Sequence, residues 1–446
     1  ERRPRQATDA RVVRQRLMVG AGVAGVLLLI VGLVVFLGGG DDGGDDTAAG
    51  DRTEVTAGAT STTVAGLAPE AEAPYDGWVD PASSGQPWSP VVVGQLTFRG
   101  NPTRSYYGLG PVPENPEILW RYPESGGMCG QSAVGSQAKT WCGTGWTGQP
   151  SVWLEGGRTW VAFGAYDKKV HFLDAEDGAD IIGAFDIGDI VKGSVTRDPD
   201  GFPLLYSGSR ADFHVIAMDR PSGEAESLWS MSHDDVSPTK WNSDWDGSAL
   251  VVDDYLFEGG ENSQIHIVKL NREYGPDGMV TVAPELVFNA PGWDEELTSA
   301  LSGSGSRVND VSIENSVAIS GNTLYFSNSG GLVQGWDISG LKEGVAPERT
   351  FRFWTGDDTD ASIVIDGEGF LYIAQEVERG SSSSRNAEVG QLVKLDPSKP
   401  DDPIVWSVAD DRGMWATPAI HDGVVISPTD SGRIVGVDQE TGEILW

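Results

Sequence analysis

The chain has 446 residues, 59 of them Gly and 16 Trp, and a net charge of −35. That length holds one large domain or two to three ordinary ones. The glycine and aromatic content, without helical periodicity, points to short strands and tight turns. A surface this acidic repels phosphate backbones, which need Lys and Arg to displace their counterions, so nucleic acid is excluded as a partner of the main domain. The same field attracts cations and cationic partners, although plain solubility is its simplest use.

The first element is a basic tail, residues 1–16, with Arg2, Arg3, Arg5, Arg11, Arg14 and Arg16. Residues 17–37 follow without a charge. At about 1.5 Å per residue they span the roughly 30 Å hydrocarbon core of a bilayer. Arginines lie before this run, and Asp41, Asp42, Asp45 and Asp46 lie after it. The positive-inside rule then predicts a cytoplasmic N-terminus, an uncleaved single-pass anchor in the cell membrane and an extracytoplasmic remainder. A cleaved signal peptide is the alternative. Its apolar part is shorter, with a small-residue site close behind, and Ala48–Ala49 lies well past this run. Residues 38–90 are acidic and rich in Ala, Thr and Gly. Such composition cannot offset the entropy of ordering, so a disordered linker is predicted there.

From residue 91 a unit recurs to the end of the chain. It has a short apolar strand, a turn, a second strand ending in small residues, a third ending in Asp, a Gly turn, and a fourth that often ends in Trp. Copies begin at Ser151, Ser194, Ser248, Ser316, Ala361 and Thr417. Repeats of about 40–50 residues with four strands each predict the blades of an all-β propeller. Seven blades are expected, eight being the alternative. Residues 118–120 supply an outer strand that completes a blade begun at the C-terminus. Insertions are expected near residues 271–310 and 377–390.

The last copy, residues 417–446, carries Asp438-x-x-Thr441-Gly442 followed by Trp446. With partial matches at 173–178, 218–229 and 395–406, it resembles the PQQ-type β-propeller repeat. Residues 96–123 are similar to the lead-in before the first blade in that superfamily. The resemblance implies the fold. The superfamily includes quinoprotein dehydrogenases and the propeller lipoprotein of the outer-membrane β-barrel assembly machinery. Dehydrogenases would imply the cofactor PQQ, a calcium ion, a catalytic Asp and often an adjacent Cys–Cys pair. No Cys–Cys pair occurs here and no catalytic Asp maps onto a motif, so the repeat is read as structural and PQQ is not expected.

Cys129 and Cys142 are the two cysteines. In an oxidising compartment such a pair forms a disulfide, which the predicted topology favours over two free thiols. Asn242-x-Asp244-x-Asp246-Gly247, with Asp253 at the twelfth position, resembles the start of a calcium loop. Asp198-x-Asp200-Gly201 is a shorter copy. In both, the plain alternative is a turn, since Asp-Gly is a common turn dipeptide. His214 and His266 occupy the same position in consecutive blades. With Glu261 they form a candidate site on one propeller face. The alternative is that both imidazoles fill space between blades. No nucleophile elbow and no phosphate-binding Gly-Lys loop is visible.

These features favour a membrane-anchored extracytoplasmic propeller that acts as a binding or scaffold module for a protein or envelope polymer. A PQQ- and calcium-dependent oxidoreductase is the alternative. So is the sensor half of a receptor, if a cytoplasmic domain precedes Glu1.

Overall fold

The structure, a computed structural model, describes residues 75–446 apart from 109, 135, 136, 146, 303, 304 and 380–383. The expected membrane helix, its basic tail and the linker up to residue 74 lie outside the described residues. Among the described residues no helix is long and apolar enough to cross a membrane.

The repeats fold as successive antiparallel sheets, the blades of a propeller. Blade 1 is Ser151–Glu155, Arg158–Gly164, Lys169–Asp174 and Phe185–Asp186, with Gly94–Gln95 added beside its first strand. Blade 2 is Thr196–Arg197, Leu204–Gly208, Asp212–Ala217 and Glu226–Ser232. Blade 3 is Leu250–Val252, Tyr255–Gly259, Gln264–Lys269 and Glu285–Pro291. Blade 4 is Ala318–Ser320, Thr323–Phe326, Leu332–Asp337 and Glu348–Trp354. Blade 5 is Val364–Ile365, Leu371–Ala374, Leu392–Leu395 and Ile404–Val408. Blade 6 has three strands, Ala419–His421, Val424–Pro428 and Ile434–Asp438. The described residues thus form six blade sheets, and the expected seventh is not among them.

Strand alternation explains how the blades stack. Successive side chains leave a strand on opposite faces. In blade 3, Tyr255 and Phe257 enter the apolar cluster shared with Ile313, Ile319 and Phe326 beside blade 4. Leu256 between them enters the cluster shared with Tyr206, Phe213 and Val215 of blade 2. Comparable clusters join blades 1 and 2, 4 and 5, and 5 and 6. Both faces of a blade are therefore covered, and truncating one of these side chains costs about 2–5 kcal/mol through the cavity it leaves.

The expected insertions take definite forms. A hairpin of Glu273–Tyr274 and Val280–Thr281 sits between the last two strands of blade 3, and a helix, Glu295–Leu301, follows that blade. The other insertion carries a helix, Ser384–Val389, inside blade 5.

The docking turn works as its residues dictate. The Asp438 carboxylate accepts from the Thr441 amide at 2.8 Å and from its hydroxyl at 2.9 Å. Gly442 has φ 77°, and a Cβ there would lie 2.7 Å from the Trp406 ring. The Trp406 indole donates to the Gln439 carbonyl at 3.1 Å. Trp120 repeats this on blade 1. Its indole donates to the Ala175 carbonyl at 2.9 Å and covers Gly178, where a Cβ would again lie 2.7 Å from the ring.

The linker was expected to run to residue 90. Residues 75–90 instead pack on the propeller, because Trp78 supplies the apolar surface that the rest of the linker lacks. Its indole donates to the Ile338 carbonyl at 2.8 Å, and its ring meets Tyr255 and Phe257 edge-on. Val79 pairs with Gly321.

Cys129 and Cys142 face each other across a two-stranded hairpin and form a disulfide. The aspartate-rich loop at Asn242 departs from a calcium loop in one respect. Asp253 stands in the tight turn between the first two strands of blade 3, paired with Lys342 at 2.5 Å. A short first strand separates it from Asp244 and Asp246.

Candidate functional site

The lead-in, residues 96–107, threads the inner edges of the blades. The Leu96 carbonyl accepts from Arg197, that of Pro102 from Ile319, and that of Thr103 from Ile365. The Tyr107 hydroxyl accepts from the Ile420 amide at 3.0 Å. Arg104 is fully buried. It donates to the carbonyls of Ser248 at 2.7 Å, Val317 at 2.8 Å and Phe98 at 2.8 Å. This segment runs past the first strands of blades 2, 4, 5 and 6, and its Phe98 and Arg99 line a pocket, the channel mouth, on which the connections of several blades converge.

A belt of hydroxyls aligns the blades above this segment. The Ser248 amide donates to Ser316 Oγ at 3.0 Å, the Ser316 amide to Ser362 Oγ at 2.9 Å, and the Ser362 amide to Thr417 Oγ1 at 2.9 Å. The Gln149 amide does the same to Ser194 Oγ at 2.8 Å. Each of these residues stands two positions before the first strand of its blade. Two positions earlier again, the same place in the repeat holds Thr147, Lys192, Asp246, Glu314, Asp360 and Trp415.

A second repeat feature completes the wall. A residue two or three positions past the end of the second strand donates its amide to a carbonyl four positions before the hydroxyl. The pairs are Arg210 to Ile190, Glu261 to Asp244, Ser329 to Ser312, Glu376 to Asp358 and Asp430 to Gly413. Blade 3 therefore brings together Asp244, Asp246 and Glu261, and blade 5 brings together Asp358, Asp360 and Glu376. In each triad the ligand-capable atoms lie within 4.8 Å of one another.

The blade 3 triad is occupied by the protein's own cation. Lys192 Nζ reaches from blade 2 to Asp244 at 2.6 Å, Glu261 at 2.7 Å and Asp246 at 2.8 Å. Burial opposes its charge, but Asp246, Glu261 and Asp244 outweigh burial and hold its pKa well above the ordinary lysine value. Burial, with Glu261 beside it, pushes the Asp244 carboxyl up to about 7. Asn242 donates to Glu261 at 2.7 Å. Of the four expected calcium ligands, Asp244 and Asp246 thus meet around an ammonium group, with Asn242 bonded to the edge of the cluster.

The shorter aspartate loop follows the same logic. Arg272 reaches Asp198 at 2.6 Å, Asp200 at 2.7 Å and Asp254 at 2.8 Å. The expected face site is only partly assembled. Glu261 joins the channel wall, whereas the histidines stay in the sheets between blades. His266 is fully buried beside Trp245, with Nε2 3.3 Å from Asn262 Oδ1. His214 lies 2.9 Å from Ser227 Oγ and edge-on to Phe185.

The pocket at the channel mouth has a volume of about 360 Å³. Phe98, Trp415, Ala416 and Pro428 give it apolar surface, and Asp246, Glu314, Asp360 and Asp430 give it charge. The Trp415 indole donates to Asp360 Oδ2 at 2.8 Å. The quinone cofactor implied for the dehydrogenase branch is a tricarboxylate. These four acidic residues, with Arg99 as the cation of the lining, do not fit such an anion.

No protein-family model matches the chain, and no curated protein matches it. Solved structures are similar to it. BamB from Moraxella catarrhalis is 14% identical, covering 71% of this chain and 81% of its own, with a TM-score of 0.43. Sqt1 from Saccharomyces cerevisiae is 10% identical, covering 65% of this chain and 70% of its own, with a TM-score of 0.45. At these identities neither likeness bears on what the pocket binds.

Proposed function

We propose that the chain is a membrane-anchored, extracytoplasmic binding module whose channel mouth receives a cationic side chain of a protein partner. One observation carries this reading: Trp415, Phe98 and Pro428 sit in the same pocket as Asp246, Glu314, Asp360 and Asp430. Lys and Arg side chains have an apolar stem and a charged head, and this pocket offers a surface for each. The excess negative charge of the chain would steer such a partner and make its association salt-dependent. The apolar run at 17–37 supports the anchor.

A seven-bladed ring belongs to the same reading. Residues 118–120, which pair with no strand among the described residues, would then be the outer segment of the blade before blade 1, since Trp120 sits on blade 1 as Trp406 sits on blade 6. Electron microscopy of the full chain that shows any other number of blades would refute this.

The binding claim is tested by titrating the full chain, in mild detergent, with a lysine-rich peptide while following Trp fluorescence. A saturable change is expected that weakens with salt, is lost in Trp415→Phe and falls in Asp430→Asn. No saturable change, or an identical one in Asp430→Asn, would overturn the reading.

A further inference from the structure

Blades 3 and 5 present the same acidic triad from the same repeat positions, yet they differ in what faces it. In blade 3 the preceding blade contributes Lys192, whose ammonium touches all three carboxylates. In blade 5 the preceding blade contributes, from the same place in the repeat, Glu314. A fourth carboxyl group therefore stands where charge balance calls for a cation.

Two cations stand nearby: Arg307, which acts electrostatically on Asp358 but pairs with Glu378, and Arg379, whose guanidinium donates to the carbonyls of Arg307, Asp310 and Ser329. After burial, the groups acting most strongly on Asp358 are Asp360, Glu314, Glu376 and Asp310, all acidic. Those acting on Glu376 after burial are Asp360, Glu378, Asp430 and Asp357. The ion pairs of this region join Arg307 to Glu378 and Arg433 to Asp410, not to the triad.

A second observation points to a ligand. Asp358 is 7% exposed. Among the described residues no N–H or hydroxyl donates to its Oδ1 or to the buried Oδ1 of Asp360, and the two carboxyl groups lie within hydrogen-bonding range of each other. A buried carboxylate oxygen without a partner is costly, and native structures rarely keep one without an unseen ion or water.

We propose that Asp358, Asp360 and Glu376 bind a divalent cation of the hard, oxygen-seeking class, with Glu314 as a fourth carboxylate beside it. Ligand atoms within 4.8 Å of one another fit around an ion with oxygen contacts of about 2.3–2.6 Å, the range of calcium. The donors are all oxygens, which disfavours soft metals. The blade 3 triad is excluded as a metal site in the parent chain because Lys192 fills it. The inference does not rest on the proposed partner, and either can fail alone.

Terbium, which takes calcium-type sites, is the probe. Trp415, hydrogen-bonded to Asp360, is placed to sensitise its emission. The full chain should give saturable terbium emission that calcium displaces, and calcium should raise its melting temperature. Glu376→Gln should weaken terbium binding on the order of tenfold or more, through loss of one charged ligand. Glu314→Lys copies the blade 3 arrangement. It should abolish terbium binding and raise the melting temperature measured without metal. Absence of calcium-displaceable emission in the parent overturns the proposal. So does undiminished emission in a folded Glu376→Gln protein, which keeps the test decisive even if Glu314→Lys does not fold.

Discussion

Lys192 and Glu314 occupy the same place in two blades, each two residues before a hydroxyl that accepts an amide from the neighbouring blade's equivalent residue. One is a cation facing three carboxylates, and the other is a carboxylate facing three more. The repeat fixes the geometry of the channel wall, and single residues at this place decide its chemistry.

Lys192 is the first test of that view. Removing one partner of a buried ionic cluster leaves the others uncompensated and costs about 3–5 kcal/mol. Lys192→Met should lower the melting temperature accordingly, and Lys192→Met/Asp246→Asn should recover part of it. Millimolar calcium should also recover part, because the vacated triad then resembles that of blade 5. An unchanged melting temperature in Lys192→Met would contradict the account.

His266 gives a pH dependence of known sign. Burial lowers its pKa from 6.5 to about 3. The unfolded chain therefore binds a proton between these values that the native state does not, and stability rises with pH where the unfolded state holds more protons. The contribution is intact above about pH 6.5 and is lost progressively as the pH falls to about 3. It amounts to at most about 5 kcal/mol. Urea titrations between pH 7 and 4 should show the parent losing more stability than His266→Gln. Parallel curves for the two would contradict the assignment.

The Cys129–Cys142 bond closes a short hairpin, and a loop of about 15 residues corresponds to about 3 kcal/mol in the chain-entropy model. Alkylation in denaturant without reductant should modify neither cysteine. Labelling of both would show that the bond does not form.

The anchor is tested on intact cells. Added protease should remove the propeller and leave the arginine-rich tail protected. A mature protein that begins near residue 50 would contradict an uncleaved anchor.

The blades were legible in the sequence because strand alternation and the Asp-x-x-Thr-Gly turn are local signals. Residues 438–442 announce their turn within five positions. The aspartates at 244 and 246 were also visible as a cluster. What filled that cluster was not, because Lys192 lies on the preceding blade and pairs only once the ring brings the two together. The hydroxyl belt had a signal that alignment of the copies exposes: Ser194, Ser248, Ser316, Ser362 and Thr417 stand at one repeat position. Asp358 and Asp360 could have been found the same way, since their spacing from Ser362 repeats that of Asp244 and Asp246 from Ser248. Asp253 misled because twelve-residue spacing mimics a calcium loop while a strand intervenes. His214 and His266 misled because a shared repeat position can face the neighbouring blade as readily as solvent.

The most direct measurement is anomalous diffraction from crystals of the full chain grown with terbium. One strong peak is predicted between the Asp358, Asp360 and Glu376 carboxylates, with none among Asp244, Asp246 and Glu261, where the Lys192 ammonium sits. A peak in blade 3 with Lys192 displaced, or no peak in the channel at all, would contradict the claim that the residue at this one repeat position decides which triad holds an ion.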